Sequence, residues 1–290
     1  MKPDPAASLM PGPMAKPTRS FFGPLNPGIE SWSGRRVWVV GASSGIGAEL
    51  ARGLHRRGAR VAVSARREQA LREVMSQAPA APVDAEDPTH PPLFLPLDVN
   101  DAEAIATACT TLLEHWGGID LVLWVAGIYQ PMRAQQFDLP AARRMLDTNL
   151  ISVFSGLSAV LPTMLAQGSG GIALVSSVAG YSGLPQALVY GPTKAAMINL
   201  AESLYLDLQP AGIGVYLVSP GYVDTPATAG NDYAMPGLIS AREAADFTLA
   251  GIEAGRFEIH YPKRFTLWLK FARLLPYRLY FALVRRVTGA

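Results

Sequence analysis

At 290 residues the chain suits one large domain with appendages, and 49% hydrophobic against 17% charged residues supplies a core and excludes global disorder. The formal net charge is only +2, but eight Lys/Arg from Arg256 onward face a single acid, Glu258, so residues 256–290 carry about +7 and the rest about −5. One cysteine, Cys109, excludes an intrachain disulfide or thiolate cluster, and four scattered His lack ligand spacing, so no metal site is expected.

In chain order, residues 1–34 hold seven prolines and are expected to form an extended arm, with Phe21, Phe22 and Trp32 as points that pin it to the body. No apolar h-region follows the first residues, and no uncharged apolar run is expected to reach the 18 or so residues of a spanning helix, which favours a cytoplasmic protein. Residues 35–40 are apolar and β-branched, as a buried parallel strand requires. The turn Gly41-Ala-Ser43-Ser44-Gly45-Ile46-Gly47 and a helix over 48–58 follow. Strand, glycine turn and helix start a dinucleotide-binding unit, since the glycines admit a pyrophosphate and the helix N-terminus presents N–H groups to it. A tight strand-to-helix turn alone has the same pattern.

The second strand, 60–65, ends in Ala65 where an acid would bind ribose hydroxyls, and Arg66 and Arg67 come next. Two guanidiniums suit a 2′-phosphate, hence NADP(H) in preference to NAD(H); the alternative is an exposed pair opening the helix over 68–77. A Pro-rich acidic loop over 79–92 leads to a third strand, 93–97. It ends in Asp98-Val99, where the carboxylate either meets an adenine amino group or caps the helix over 101–116 that contains Cys109. The fourth strand, 120–125, ends at Ala126-Gly127. A long helical region over 135–167 holds Asn149, a poor helix-interior residue that is either a tolerated surface group or placed for a purpose; taken alone it reads as surface. Strands over 172–176, 214–219 and 257–261 and a helix over 241–255 complete a doubly wound parallel sheet with helices on both faces. The glycine turn, Arg66, Asp98, Gly127, Ser177 and Pro220-Gly221 all fall at carboxyl ends of strands, where ligands bind on such sheets.

Tyr190 and Lys194, four apart at the head of an apolar helix, share one face; the ammonium is expected to lower the phenol's pKa. A buried Tyr beside a snorkelling Lys is the plainer reading of that pair alone. Taken together, the residues resemble the short-chain dehydrogenase/reductase family over roughly 35–260. Gly41, Ser43, Ser44, Gly45, Ile46 and Gly47 resemble its cofactor glycine motif, with Val40 in place of the usual Thr. Tyr190-Gly-Pro-Thr-Lys194 resembles its Tyr-x-x-x-Lys, and Ser177 stands thirteen residues earlier, as the family's Ser does. Asn149 matches the family's helix Asn, which favours the purposeful alternative. Pro220 and Gly221, with Val223 and Thr225, resemble the segment lining the nicotinamide. One departure is Trp124-Val125-Ala126-Gly127, where the family has Asn-Asn-Ala-Gly.

The resemblance implies a Rossmann-fold oxidoreductase that moves a hydride between nicotinamide and a carbonyl or secondary alcohol. It implies roles for Tyr190 as acid or base, for Lys194 as its cationic partner and ribose ligand, for Ser177 as holder of the substrate oxygen, and for Asn149 in proton resupply. It also implies a homodimer or tetramer. Tyr129, Met132, Tyr181, Leu184, Tyr233 and Met235 suggest an apolar substrate pocket. The competing reading is a catalytically silent nucleotide-binding partner on the same fold. Residues 264–287 interleave cations with large apolar side chains around Pro276. That composition suits either a membrane surface or, at equal weight, docking on the chain's own body or another subunit; nucleic acid is not expected.

Overall fold

The computed structural model describes residues 23–78, 91–231 and 233–289; Phe21, Phe22 and most of the acidic loop over 79–92 lie outside them. The strands are β1 (Arg36–Val40), β2 (Arg60–Ser64), β3 (Leu93–Phe94), β4 (Leu121–Trp124), β5 (Gly170–Val175), β6 (Ile213–Pro220), β7 (Val223–Asp224), β8 (Ile239–Ser240) and β9 (Glu258–Tyr261). Seven of them form one parallel sheet in the order β3-β2-β1-β4-β5-β6-β9, and β7 pairs with β8 alone. The helices are α1 (Gly45–Arg56), α2 (Glu68–Ser76), α3 (Ala102–Trp116), α4 (Leu139–Leu146), α5 (Ser152–Gln167), α6 (Tyr190–Leu208), α7 (Ala241–Glu253), α8 (Lys263–Arg273) and α9 (Tyr277–Thr288). This is a single-domain Rossmann-like fold.

The central strands are mostly apolar because both faces of the sheet are covered. In β1, Val37 and Val39 pack into one core with Leu50, Leu54, Leu71 and Leu249, while Trp38 and Val40 turn to the other with Ile105, Val153 and Ala201. Parallel strands need long crossovers, and the helices that supply them bring their apolar stripes onto the sheet.

Trp32 is buried and donates to the Glu253 carboxylate at 2.6 Å, pinning the arm as expected. The arm is also fixed at Asn26, which is buried and pairs with Val215 through both ends of its amide, at 2.7 and 2.9 Å. The long helical region differs from the sequence reading: it is divided, into a 3-10 turn (Ala134–Gln136), α4, a π-helical segment (Asp147–Ile151) and α5. The run from α4 through α5 is long and apolar enough to cross a membrane by length and composition, against the expectation that no run approaches that length. Val153, Leu157, Val160 and Met164 are nevertheless buried in the core beneath the sheet.

Trp124, where the family resemblance leads one to expect Asn, is accommodated by Gly156 on α5. A Cβ built at Gly156 would lie 2.1 Å from Trp124 Cζ3. Gly156→Ala gains about 1 kcal/mol of helix propensity, but overpacking against an immobile indole costs roughly 1–3 kcal/mol. A net loss of stability in urea melts is expected; a variant as stable as the parent would contradict this packing.

Candidate active site

A cleft of ≈ 610 Å³ opens at the carboxyl ends of the strands, beside the point where strand order reverses between β1 and β4. One end is the turn between β1 and α1. Gly41 takes φ +95° there, and Gly47 is forced by close approach: a Cβ on it would lie 2.1 Å from the Gly41 carbonyl oxygen. The α1 N-cap, Ser44, makes no side-chain capping bond, so the first-turn N–H groups remain available to an anion in the cleft. Ser43, Ser44, Gly45 and Ile46 line the wall beside them.

Arg66 and Arg67, at the end of β2, line the same end of the cleft and are exposed. No carboxylate among the described residues pairs with either; the neighbouring acid Glu68 is held by Arg72. Asp98 and Val99 line the cleft after β3. Asp98 accepts from the Asn100 N–H at 3.0 Å, and the cap of α3 is Asp101, which accepts from Glu103 and Ala104. The carboxylate of Asp98 is thus a wall group and not the helix cap.

The other end gathers the four groups singled out in the sequence. Asn149 is 1% exposed and clamps the loop after β4: its Oδ1 accepts from Ile128 N–H at 2.7 Å, and its Nδ2 donates to the Ile128 carbonyl at 2.8 Å. The π-helical turn presents this Asn, and π segments recur at functional sites. The clamp, with Val125 and Ala126 N–H groups both donating to the Val40 carbonyl at 2.9 Å, braces a turn that lacks Asn side chains at 124 and 125. Gly127 lies between two of the groups: a Cβ there would be 3.3 Å from Asn149 Oδ1 and 3.5 Å from Lys194 Nζ.

Lys194 is 4% exposed and donates to the Val175 carbonyl at 2.9 Å. Burial lowers its pKa to about 8. Tyr190 packs edge-on against Tyr129, centroids 4.9 Å apart, and the Ser177 hydroxyl lies near enough to its phenol to favour the phenolate. Here the electrostatic expectation is corrected. Burial pushes the Tyr190 phenol up to about 12, opposed by the Ser177 hydroxyl; Lys194, 5.6 Å from the ring centroid, does not offset the desolvation. Each side chain is therefore biased towards its neutral form, by one cause.

Gly221, Val223 and Thr225 complete the wall with Pro220, whose carbonyl accepts from the Ser177 hydroxyl at 3.5 Å. On the substrate side stand Tyr129, Leu184 and Tyr233, and the Tyr129 and Tyr233 hydroxyls meet at 3.1 Å. Three expected pocket residues are elsewhere. The Tyr181 hydroxyl donates to Glu258 at 2.6 Å, and the ring is buried beneath α8. Met235 is occupied by the Asn231 amide at 3.5 Å, outside the lining, and Met132 is in a small core with Met145 and Val189. Tyr222, Phe265, Arg133, Arg144 and Thr288 line the cleft without having been anticipated. Tyr222 follows Pro220-Gly221 and could have been found; Phe265 and Thr288 arrive only because the C-terminal helices dock there.

Residues 35–234 match the family model described as short chain dehydrogenase. An uncharacterized oxidoreductase of Myxococcus xanthus is 35% identical over 87% of this chain and 97% of its own length. A short-chain type dehydrogenase/reductase of Mycobacterium marinum superposes with a TM-score of 0.70 at 27% identity, covering 79% of this chain and 94% of that one. A short chain dehydrogenase of Burkholderia cenocepacia in complex with NADP shares the fold, with a TM-score of 0.73 at 23% identity over 88% of this chain and 98% of that one.

Proposed function

The chain belongs to the short-chain dehydrogenase/reductase family of oxidoreductases, and from that premise we propose that it is an NADP(H)-dependent enzyme acting on the carbonyl or secondary alcohol of an apolar small molecule. The observation that carries this reading is the convergence of Ser177, Tyr190 and Lys194 on the cleft that the glycine turn and Arg66 also line, with Asn149 buried behind its wall and clamped to the lining residue Ile128. The same convergence speaks against a catalytically silent partner protein. The structure of a relative solved with NADP supports the cofactor choice.

The residues fit the dinucleotide. The turn at Gly41, Gly45 and Gly47 would take the pyrophosphate, Arg66 and Arg67 the 2′-phosphate, and Asp98 the adenine, with Val99, Ala126, Gly127, Pro220, Gly221, Val223 and Thr225 along its length. Bound there, NADPH supplies a hydride to the carbonyl carbon. Ser177 holds the carbonyl oxygen and Tyr190 donates its phenolic proton to it, leaving an alcohol; Asn149 holds the wall through which the proton is resupplied. With a phenol near 12, Tyr190 is protonated throughout the neutral range and suits the acid of the reductive direction. Lys194 as a cation holds the nicotinamide ribose hydroxyls and steadies the developing phenolate.

That role sets a pH dependence. A cation with a pKa of about 8 is present below that value and lost above it. kcat/KM for NADPH, which reports free-enzyme ionisations, is expected to fall as pH rises through that range. A level profile across it would contradict the role given to Lys194.

Ile128, Tyr129, Leu184, Tyr222, Tyr233 and Phe265 give the substrate side its apolar character. A screen of carbonyls with NADPH, followed by its loss of absorbance, tests the activity: apolar ketones or aldehydes should be reduced. Exposed Ile151, Phe154 and Leu206 on the α5 and α6 side support a homo-oligomer. The same reading places the enzyme in the cytoplasm, with peripheral membrane contact through residues 264–287.

A further inference from the structure

The two C-terminal helices have one side pinned and one side bare. Lys270 pairs with Glu258, which also accepts the Tyr181 hydroxyl; Tyr280 donates to the Gly183 carbonyl at 2.6 Å, and Thr266 meets His260 at 2.6 Å. These contacts bury Thr266, Ala272 and Tyr280. The outward stripe of α8 carries Leu267, Trp268, Phe271 and Leu274, a helical spacing that places them on one side. Trp268 is 72% exposed and Leu274 80%. The stripe continues across Pro276 into Tyr277, itself 78% exposed and stacked on Phe281 at 5.7 Å. A contiguous apolar surface of this kind is a contact surface.

Charge decides what it contacts. The segment from 256 onward has eight cations and one acid, and that acid, Glu258, is already engaged by Lys270 and Tyr181. Arg264, Arg273, Arg278, Arg285 and Arg286 are exposed beside the apolar stripe, and none pairs with an acid among the described residues. A second copy docking through the same face would bring like charge against like. An anionic bilayer supplies the missing charge and takes the aromatic and leucine side chains into its interface.

The same helices belong to the cleft. Phe265 near the start of α8 and Thr288 at the end of α9 line it, and Tyr280 holds Gly183, next to the lining residue Leu184. We propose that α8 and α9 form a platform that seats the protein on an anionic lipid surface with the cleft opening beside it, so that its substrate is a carbonyl or alcohol on a long apolar chain drawn from the bilayer. The substrate class rests on the reductase reading above; the platform does not.

The test is co-sedimentation of the full chain with phosphatidylcholine vesicles, with and without phosphatidylglycerol, alongside an NADPH titration. The wild type should pellet with the anionic vesicles, stay in solution with the zwitterionic ones, and be released by high salt. Trp268→Ser combined with Phe271→Ser should weaken vesicle binding at least about tenfold and leave NADPH binding intact. The variant should also reduce a long-chain ketone in anionic vesicles more slowly than the wild type, while reducing a short water-soluble ketone equally fast. A wild type that stays in solution with anionic vesicles, or a double variant that pellets like it, overturns the platform. If the wild type ignores vesicles and the double substitution splits an oligomer, the stripe is a self-contact and the platform is again overturned. Vesicle binding without NADPH binding overturns the substrate class alone.

Discussion

Tyr190→Phe is expected to lower carbonyl reduction roughly 10²–10⁴-fold, the range that a positioned general acid contributes, while NADPH affinity changes less than about twofold. The substitution removes one hydroxyl from a ring that also packs edge-on against Tyr129, centroids 4.9 Å apart. The fold should therefore be unaffected. Turnover near that of the wild type would end the assignment of Tyr190 as the acid. Loss of NADPH binding together with turnover would move its role from proton transfer to cofactor positioning. Ser177→Ala provides the companion measurement: with the Ser177 hydroxyl gone, the one influence that lowers the phenol's pKa is removed, so the phenol becomes a weaker acid as well as losing its neighbour.

The second large effect concerns the cofactor. Replacing Arg66 and Arg67 together with Ala should weaken NADPH binding about 10- to 100-fold, the loss of one or two hydrogen bonds to a charged group at roughly 1.5–3 kcal/mol each, discounted for the exposure of both side chains. NADH binding should change by less than about twofold, because NADH lacks the 2′-phosphate that the guanidiniums would face. The effect should also shrink as salt is raised, since both arginines are solvent-exposed. Equal losses for the two dinucleotides would show that the pair does not read the 2′-phosphate.

Much of the molecule is visible in its sequence because the parallel sheet writes itself in short β-branched runs separated by glycine turns. The run at 35–40 and the turn at 41–47 place the cleft before any tertiary contact is known. Asn149 is different: its position inside an apolar helix reads as surface on the residues alone, only the family resemblance points to a purpose, and the structure buries it in the π-helical turn with its clamp on Ile128.

What remained hidden depended on side-chain direction or on long-range docking. Tyr181 lies in the loop after Ser177, beside the pocket residues, but its hydroxyl turns to Glu258, far along the chain. No local pattern encodes that choice. The expected lowering of the Tyr190 pKa by Lys194 fails because spacing reports their proximity and says nothing of how completely both are removed from water. Trp124 stands where Asn is expected, and its compensation, Gly156 beneath the ring, is thirty-two residues away and visible only in the fold. Arg133, Arg144 and Thr288 reach the cleft from three separate elements, and only the assembled fold brings them together.

The central claim is that the cleft binds a phosphorylated nicotinamide dinucleotide. Its most direct test is a titration of the purified wild-type protein with NADPH and with NADH, followed by nicotinamide fluorescence. Saturable, tight binding of NADPH and much weaker binding of NADH are the expected results. Binding of neither, or a preference for NADH, would contradict the claim.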